Sequence, residues 1–230
     1  MSRRSVRICE SEEGMTIPNL QGVARTLLVP LACRALESPR PDAIIHDPRA
    51  VEVYNAIGGN PDFLMGMSGT DVFVTMMRAR QFDMFARAFL DRNPGGLVVD
   101  MGCGLDTRFD RLDDGQMTWL GVDLPEVIDL RRKVLPDGER CKTIPQSILE
   151  ISWFDEVAQL NKPVIFLAEG VFPYFSCADV KPLVMMMARP TSRSSGGWRR
   201  RCARRGRSAG CRCWCCRPTP IRGRGASGPR

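Results

Sequence analysis

The chain of 230 residues lacks several features, and each absence narrows what it can be. It contains no run of about 18 apolar residues, and its first residues are not followed by the apolar stretch of a signal peptide. We therefore expect a cytoplasmic protein without membrane contact. Its one histidine, His46, precedes Asp47-Pro48 and is interpreted as a turn residue and not as a general base.

Acidic residues are absent from residues 191–230, although twelve of the 33 Lys+Arg residues lie there. The formal net charge of +7 therefore arises from this segment, and the residues before it are acidic on balance. Large apolar side chains are also scarce in it, so we expect an irregular Arg/Cys-rich tail over 189–230. A reading frame shifted near 188–191 would produce this composition and would leave a truncated protein.

Two functions are compatible with that tail. Its arginines and two tryptophans are typical of segments that bind nucleic-acid phosphates without specificity. Cys211, Cys213, Cys215 and Cys216 are ligands that suit a soft metal, although they lack histidine and the spacing of zinc knuckles. Either function would make the chain a nucleic-acid- or metal-binding protein and not an enzyme, but we expect neither a specific nucleic-acid partner nor a metal site.

Hydrophobic periodicity divides the chain before the tail into an N-terminal arm over 1–17, a helical section over 18–95 and a cofactor-binding core over 96–188. Helices are predicted over 20–36, 48–57, 70–92, 125–135, 153–160 and 178–188. Strands are predicted over 97–101, 118–122, 142–144 and 163–168. Repeated β-α units with apolar strands predict an α/β fold, in which helices cover both faces of a parallel sheet.

The first predicted strand, 97–101, runs into the turn Gly102-Cys103-Gly104. Glycines at such a turn let a ligand approach the backbone, and free amides with a helix dipole would attract an anionic or hydroxyl-rich group. Asp106 is placed to cap the helix that follows. Asp123 ends the second strand, nineteen positions after Gly104, where a carboxylate accepts ribose hydroxyls. The pattern indicates a nucleoside-cofactor site.

Ligands of parallel α/β sheets bind beyond the carboxyl ends of the strands. The loops that start at Gly102, Asp123, Ser147 and Glu169 should therefore meet at one crevice. The last predicted strand, 163–168, would have one edge unpaired, which favours a homo-oligomer or aggregation.

Two features leave alternatives open. Arg78 and Arg80 interrupt the apolar face of the third helix, either as solvated side chains or as a clamp for a carboxylate. The glycine turn is also compatible with an NAD-dependent dehydrogenase. Asp106-Thr107 follow Gly102-x-Gly104, however, so the third glycine of a dinucleotide fingerprint is missing.

Together, these motifs resemble the leucine carboxyl methyltransferase family, in particular its bacterial branch of polyketide O-methyltransferases. The likeness covers roughly residues 17–188, and the stretches that carry it are Arg34-Ala35-x-Glu37 with Arg40-Pro41-Asp42, Arg78-Ala79-Arg80-Gln81-Phe82-Asp83, Val98 to Arg108, Val122 to Val127, and Ala168-Glu169-Gly170-Val171-Phe172-x-Tyr174.

The resemblance implies a class I, Rossmann-like, S-adenosylmethionine-dependent methyltransferase, truncated here after about four of seven strands. It implies cofactor-binding roles for six residues and one catalytic candidate, Tyr174, which lies where the acceptor would enter. For the methionyl end, Arg80 would hold the carboxylate and Glu169 would lie near the amino group. Gly102 would lie against the methionyl part and the ribose, and Asp123 would accept the ribose hydroxyls. Ser147 and Ile148 stand where the family usually has Asp-Leu beside the adenine.

The resemblance leaves the acceptor open between a carboxyl and a phenolic hydroxyl group of a small molecule such as a polyketide. A carboxylate needs no base, whereas a phenol with a pKa near 10 needs one or a cationic neighbour. Outside the family context, Tyr174 is equally compatible with a core aromatic residue. Cys103 is interpreted as filling space in the turn, because no histidine accompanies it.

Overall fold

The computed structural model describes residues 23–60, 64 and 66–188. The predicted arm and the predicted tail lie outside the described residues. The hypotheses of nucleic-acid binding, metal binding and a shifted frame, which concern that tail, stay predictions.

The described part contains seven helices and four strands, and every helix and strand predicted above is present with ends displaced by a few residues. The helices are α1 (Val23–Glu37), α2 (Pro48–Ala56), α3 (Gly69–Leu90), α4 (Arg108–Leu112), α5 (Pro125–Val134), α6 (Trp153–Leu160) and α7 (Cys177–Met187). The strands are β1 (Leu97–Met101), β2 (Thr118–Asp123), β3 (Cys141–Pro145) and β4 (Val164–Leu167). A short 3₁₀ turn, Phe172–Tyr174, precedes α7.

The sheet is parallel throughout, with the strand order β3-β2-β1-β4. The chain therefore adds β2 and β3 on one side of β1 and then crosses to add β4 on the other side. Strand order reverses at β1, which is where open α/β sheets place their ligands. The predicted fold, a parallel α/β sheet with helices, is confirmed.

Local side chains explain where several helices begin. Asp47 precedes Pro48, and its Oδ1 accepts a hydrogen bond of 2.9 Å from the amide of Ala50, so α2 starts as predicted. Helices α3 and α7 each begin with a capping box, formed by Ser68 with Asp71 and by Ser176 with Asp179 respectively. The first residues of three helices are thus determined by capping side chains next to them in the sequence.

All five residues of β1 are buried, because helices pack on both faces of the sheet. Val99 on one face joins a cluster with Trp153 of α6 and Leu183 of α7. Val98 on the other face joins a cluster with Ala86 of α3. A strand covered on both sides loses the alternation of apolar and polar residues, which accounts for the apolar residues at four of the five positions of β1; the exception is Asp100.

The helical section packs against the sheet section, and their contact lies beside the glycine turn. Leu31 of α1 and Val53 of α2 share a buried cluster with Leu105, which follows the turn, and Leu130 of α5. Apolar burial of about 25 cal/mol per Å² makes such a shared cluster a stabilising contact. The helices α1 and α2 are thereby fixed over the carboxyl end of β1.

Strand β4 pairs with β1 alone among the described residues. Helices α3 and α7 pack on its two faces, and both expose large apolar side chains: Phe73, Val74, Met77, Met84 and Phe85 on α3, and Val184 and Met185 on α7. No helix within the described ranges is long and apolar enough to cross a membrane.

Candidate functional site

A cavity of about 450 Å³ opens at the carboxyl ends of the strands, under α1 and α3. The structure brings all four predicted loops to it, since Gly102, Asp123, Ser147 and Glu169 each line the cavity. Its volume lies within the range of small-molecule sites, about 300–1,000 Å³. The crevice expected from the strand order is therefore a formed cavity.

The glycine turn has the backbone geometry that the sequence predicts but not the free amides. Gly102 and Gly104 have φ angles of +71° and +46°, in the region that favours glycine. Their amides are already used, because Gly102 N donates to Val122 O at 2.7 Å and Gly104 N donates to the Asp123 carboxylate at 2.8 Å. The expectation of unpaired amides is wrong for Gly102, Cys103 and Gly104, whose amides all donate hydrogen bonds within the chain.

Close packing around the turn means that a side chain at either glycine would have to displace a neighbouring side chain. A Cβ at Gly102 would collide with the side chain of Val171, from the loop after β4, and a Cβ at Gly104 would lie 2.5 Å from Leu27 Cδ2 of α1. Real Cβ atoms do not approach other atoms so closely. The turn therefore holds the loop after β4 and helix α1 near the cavity.

Asp123 ends β2 at the cavity wall, with its carboxylate fixed by two backbone amides. Oδ2 accepts from Gly104 N and Oδ1 from Leu124 N, both at 2.8 Å. Burial raises the pKa of Asp123, while these two hydrogen bonds oppose the rise. Each carboxylate oxygen has a second lone pair, so an oriented pair of acceptors remains for a ligand.

Arg78, not Arg80, lies at the cavity. Arg78 lines it and donates from Nε to Oε1 of Glu169 at 3.1 Å. Arg80 is exposed, and it does not line the cavity. The structure therefore brings Glu169 and Asp123 together with Arg78 and separates Arg80 from them, because residues two positions apart on a helix point about 200° apart.

Arg108 connects three carboxylates below the cavity. Its side chain is completely buried and pairs with Asp106, Asp83 of α3 and Glu169. The N-cap residue of α4 is Thr107 and not the predicted Asp106, although Asp106, one position earlier, accepts a hydrogen bond of 3.0 Å from the Arg108 amide. Burial opposes ionisation of Asp106, but Arg108, Arg34 and Arg111 together hold the pKa of Asp106 below its usual value.

Two more arginines hold the carbonyls of the turn. Arg131 of α5 donates from Nη1 to Gly104 O and Asp106 O, both at 2.8 Å, and Arg34 of α1 donates to Leu105 O at 3.1 Å. Both guanidinium groups are almost fully buried. Bonds from charged donors are stronger than neutral ones, so the turn is a rigid part of the wall.

Asp100 near the end of β1 is a buried acid that lines the cavity. Its Oδ2 has no hydrogen-bond partner among the described residues. Burial and then the negative charge of Asp106 raise the pKa of Asp100 well above its usual value. An unsatisfied buried polar atom is costly, about 1–3 kcal/mol, so this oxygen is a favourable contact for a ligand that donates a hydrogen bond.

The other predicted site residues, Ser147, Ile148 and Tyr174, also line the cavity. Ser147 and Ile148 both line the cavity, and Ile148 is buried. Trp153 is buried behind them and donates from Nε1 to Ile148 O at 3.1 Å, which supports packing as its role. Tyr174 also lines the cavity and is 65% exposed, so it is not a core aromatic residue.

His46 and Cys103 have structural surroundings. His46 Nδ1 lies 3.1 Å from Ser38 O in the turn before α2, and the histidine does not line the cavity. Cys103 is buried, and burial raises the pKa of its thiol well above the usual value. Its Sγ occupies the space beside Gly121, in agreement with a space-filling role.

Sequence reasoning missed Asp100, Arg34 and Arg108 as residues of the site. A signal existed for all three, because Arg34, Asp100 and Arg108 lie within the stretches that carry the family resemblance. Arg131 gave no signal, since a basic residue near the end of an amphipathic helix is usually solvated. Its burial depends on the turn that packs against it.

The family comparison agrees with this geometry. The model of the leucine carboxyl methyltransferase family matches residues 28–188. The chain belongs to that family. The match covers the whole sheet and the helical section from residue 28 onward, so every residue that lines the cavity except Leu27 lies within it.

Several curated relatives share the same part of the chain. The tetracenomycin polyketide synthesis O-methyltransferase TcmP of Streptomyces glaucescens is 35% identical over 76% of this chain and 64% of its own length. The S-adenosyl-L-methionine-dependent methyltransferase dpfgK of Gibberella zeae is 31% identical over 72% of this chain and 60% of its own length. The chain thus spans about three fifths of the length of these relatives.

A solved structure has a weaker likeness. Magnesium protoporphyrin IX methyltransferase of Synechocystis PCC 6803, with bound SAM, is 20% identical and covers 60% of this chain and 69% of its own. The TM-score is 0.38. The assignment of the fold rests on the strand order and not on this likeness.

Proposed function

We propose that this chain binds S-adenosylmethionine in the cavity at the carboxyl ends of β1, β2 and β4, as part of an O-methyltransferase. The observation that carries the proposal is one cavity lined by an Arg78–Glu169 ion pair and by Asp123. Membership of the family and the printed names of the relatives support it.

The Arg78–Glu169 pair suits the amino-acid end of the cofactor. An α-amino acid carries a carboxylate and an ammonium, which are complementary to the guanidinium and the carboxylate of the pair. In this proposal Arg78 binds the carboxylate, in place of the predicted Arg80, and Glu169 binds the ammonium. The unpartnered Oδ2 of Asp100 offers a further acceptor for an ammonium hydrogen.

The ribose and the adenine are assigned to the far side of the same cavity. Asp123 accepts the ribose hydroxyls, with its orientation fixed by the amides of Gly104 and Leu124. Ser147 and Ile148 border the adenine, with the apolar side chain against the ring. Gly102 lies between the two ends, where the backbone comes close to the ligand.

The protein's main contribution to methyl transfer is alignment. The bound cofactor supplies a methyl group on a sulfonium, a leaving group that is already activated. The cavity holds the two ends of the cofactor, and positioning of this kind contributes about 7–11 kcal/mol. Tyr174 and Phe175 line the wall next to Glu169 and are assigned to the acceptor side.

The acceptor in this proposal is a carboxyl or phenolic hydroxyl group of a small molecule such as a polyketide. The name of TcmP supports the polyketide class. The cavity lining contains no histidine among the described residues, and a carboxylate acceptor needs none because it is ionised at pH 7. A phenolic acceptor would depend on a cationic neighbour or on Tyr174.

Isothermal titration calorimetry tests the cofactor assignment directly. The full chain should bind S-adenosylhomocysteine at one site and should bind NAD much more weakly. Asp123→Asn should weaken binding by about tenfold, the effect of losing one charge-assisted hydrogen bond. Asp129→Asn, on the exposed side of α5, is the matched control and should leave binding unchanged. Equal binding of NAD, or no heat with S-adenosylhomocysteine, would contradict the proposal.

A further inference from the structure

We propose that Arg108 is a positioning residue that orients Glu169 for the ammonium group of the ligand. The inference rests on the proposed function, because the ammonium belongs to the cofactor assigned above. It concerns a side chain that is completely buried and does not line the cavity. Arg108 therefore acts through Glu169 and not by touching the ligand.

The two oxygens of Glu169 have different partners. Oε2 accepts from Arg108 Nη2, and Oε1 accepts from Arg78 Nε at 3.1 Å. Arg108 is buried, whereas Arg78 is 40% exposed at the cavity wall. Oε2 is thus committed to the protein interior, and Oε1 is the oxygen that a ligand can reach.

The contacts of Arg108 also close a ring between two elements. Its Nε donates to Asp83, which lies on α3 five residues after Arg78. Glu169 follows β4 and contacts both arginines. Helix α3 and the loop after β4 are therefore joined twice, which sets the distance between the groups assigned to the ligand's carboxylate and ammonium.

A lysine cannot replace this arginine without loss. A guanidinium presents five N–H donors in a planar fork and can serve three carboxylates at once. An ammonium is a point charge on a flexible chain, so Arg108→Lys keeps the buried positive charge but loses the fixed directions. Glu169 should then lose its orientation while the charge of the cluster is retained.

Arg111 offers a matched control. It is also nearly buried, at 7% exposure, and pairs with Asp83, Asp106 and Asp47. It neither contacts Glu169 nor lines the cavity. Arg111→Lys should therefore disturb the same charged cluster and the stability of the fold without changing the ammonium site.

The experiment compares two ligands on both variants by calorimetry. S-adenosylhomocysteine carries the amino-acid end, and 5′-methylthioadenosine has the same nucleoside without it. Arg108→Lys should weaken S-adenosylhomocysteine by about tenfold and leave 5′-methylthioadenosine unchanged. Arg111→Lys should leave the ratio of the two affinities as in the wild type, whatever its effect on the melting temperature.

The outcomes separate this inference from the proposed function. Binding of neither ligand by the wild-type chain would overturn the proposed function, and the inference with it. Binding of both, with the same affinity ratio in Arg108→Lys as in Arg111→Lys, would overturn the role of Arg108 alone. Should Arg108→Lys fail to fold, Asp83→Asn gives a second test. It loosens the contact between Arg108 Nε and Asp83 and should weaken the binding of S-adenosylhomocysteine by about threefold, without weakening that of 5′-methylthioadenosine. An unchanged ratio of the two affinities in Asp83→Asn would also overturn the inference.

Discussion

Arg78 on α3 donates a hydrogen bond of 3.1 Å to Glu169, which lies 91 residues further along the chain and follows β4. The pair joins the helical section to the far side of the sheet at the cavity wall. A zwitterionic ligand would replace this ion pair with two others, one between its carboxylate and Arg78 and one between its ammonium and Glu169. The affinity for the ligand therefore depends on both residues.

The first prediction concerns the two arginines of α3. Arg78→Met should weaken S-adenosylhomocysteine by at least about tenfold, because a charged hydrogen-bond donor to the ligand carboxylate is lost. Arg80→Met changes the same residue type at an exposed position on the same helix and should have little effect. Calorimetry on both variants measures this, and a larger loss in Arg80→Met would restore the sequence-based assignment.

The second prediction concerns the glycine turn. Gly102→Ala should lower the free energy of unfolding by more than Gly115→Ala, although both glycines have a positive φ. An alanine at Gly115 meets no atom within 4 Å, so its only cost is that of the left-handed backbone angle, roughly 1–2 kcal/mol. An alanine at Gly102 must also displace Val171.

Chemical denaturation of both glycine variants measures the difference. The double variant Gly102→Ala with Val171→Ala should recover part of the loss, because the collision is with the valine side chain. No recovery would show that the backbone angle alone limits this position.

The third prediction concerns the pH dependence that Asp100 gives to stability. Its pKa is raised in the folded chain, so the folded state binds more protons than the unfolded state above the ordinary pKa of 3.8. The contribution of Asp100 to stability is therefore fully present below pH 3.8 and is lost as the pH rises through the folded pKa. Asp100→Asn cannot ionise and should remove this loss.

Denaturation midpoints of the wild type and Asp100→Asn, compared from pH 4 to pH 8, test the sign. The stability of the variant relative to the wild type should increase with pH, because only the wild type must ionise a buried acid. A difference that is constant across the range would mean that Asp100 titrates normally.

The fourth prediction concerns the edge of β4 that no other strand of the described residues pairs with. We propose that two copies of the chain associate through this edge and the apolar faces of α3 and α7 beside it, since open apolar edges pair with other chains. Sedimentation velocity should show concentration-dependent association. Phe85→Lys and Met185→Lys should reduce it, whereas Leu36→Lys, an equally exposed apolar position on α1, should not. Concentration-independent monomers would contradict this expectation.

Much of the site was predictable from short stretches of sequence. Asp123 and Glu169 were found because each ends an apolar strand, and the ends of parallel strands meet at one edge of a sheet. The glycine turn was found for a similar local reason. The hydrogen bonds that its amides donate could not be predicted, because Asp123 and Val122 become their acceptors only when β2 pairs beside β1.

The sequence by itself determined the order of helices and strands, the parallel sheet and the family, because periodicity, capping residues and motifs act over a few neighbouring positions. The tertiary structure alone decided that Arg78 and not Arg80 faces the cavity, and that Arg108 holds Glu169 from below. Both depend on the rotation of a helix and on charges brought together from distant parts of the chain. Burial strengthens the electrostatic interactions between those charges, and these groups become buried only once the helices have packed onto the sheet.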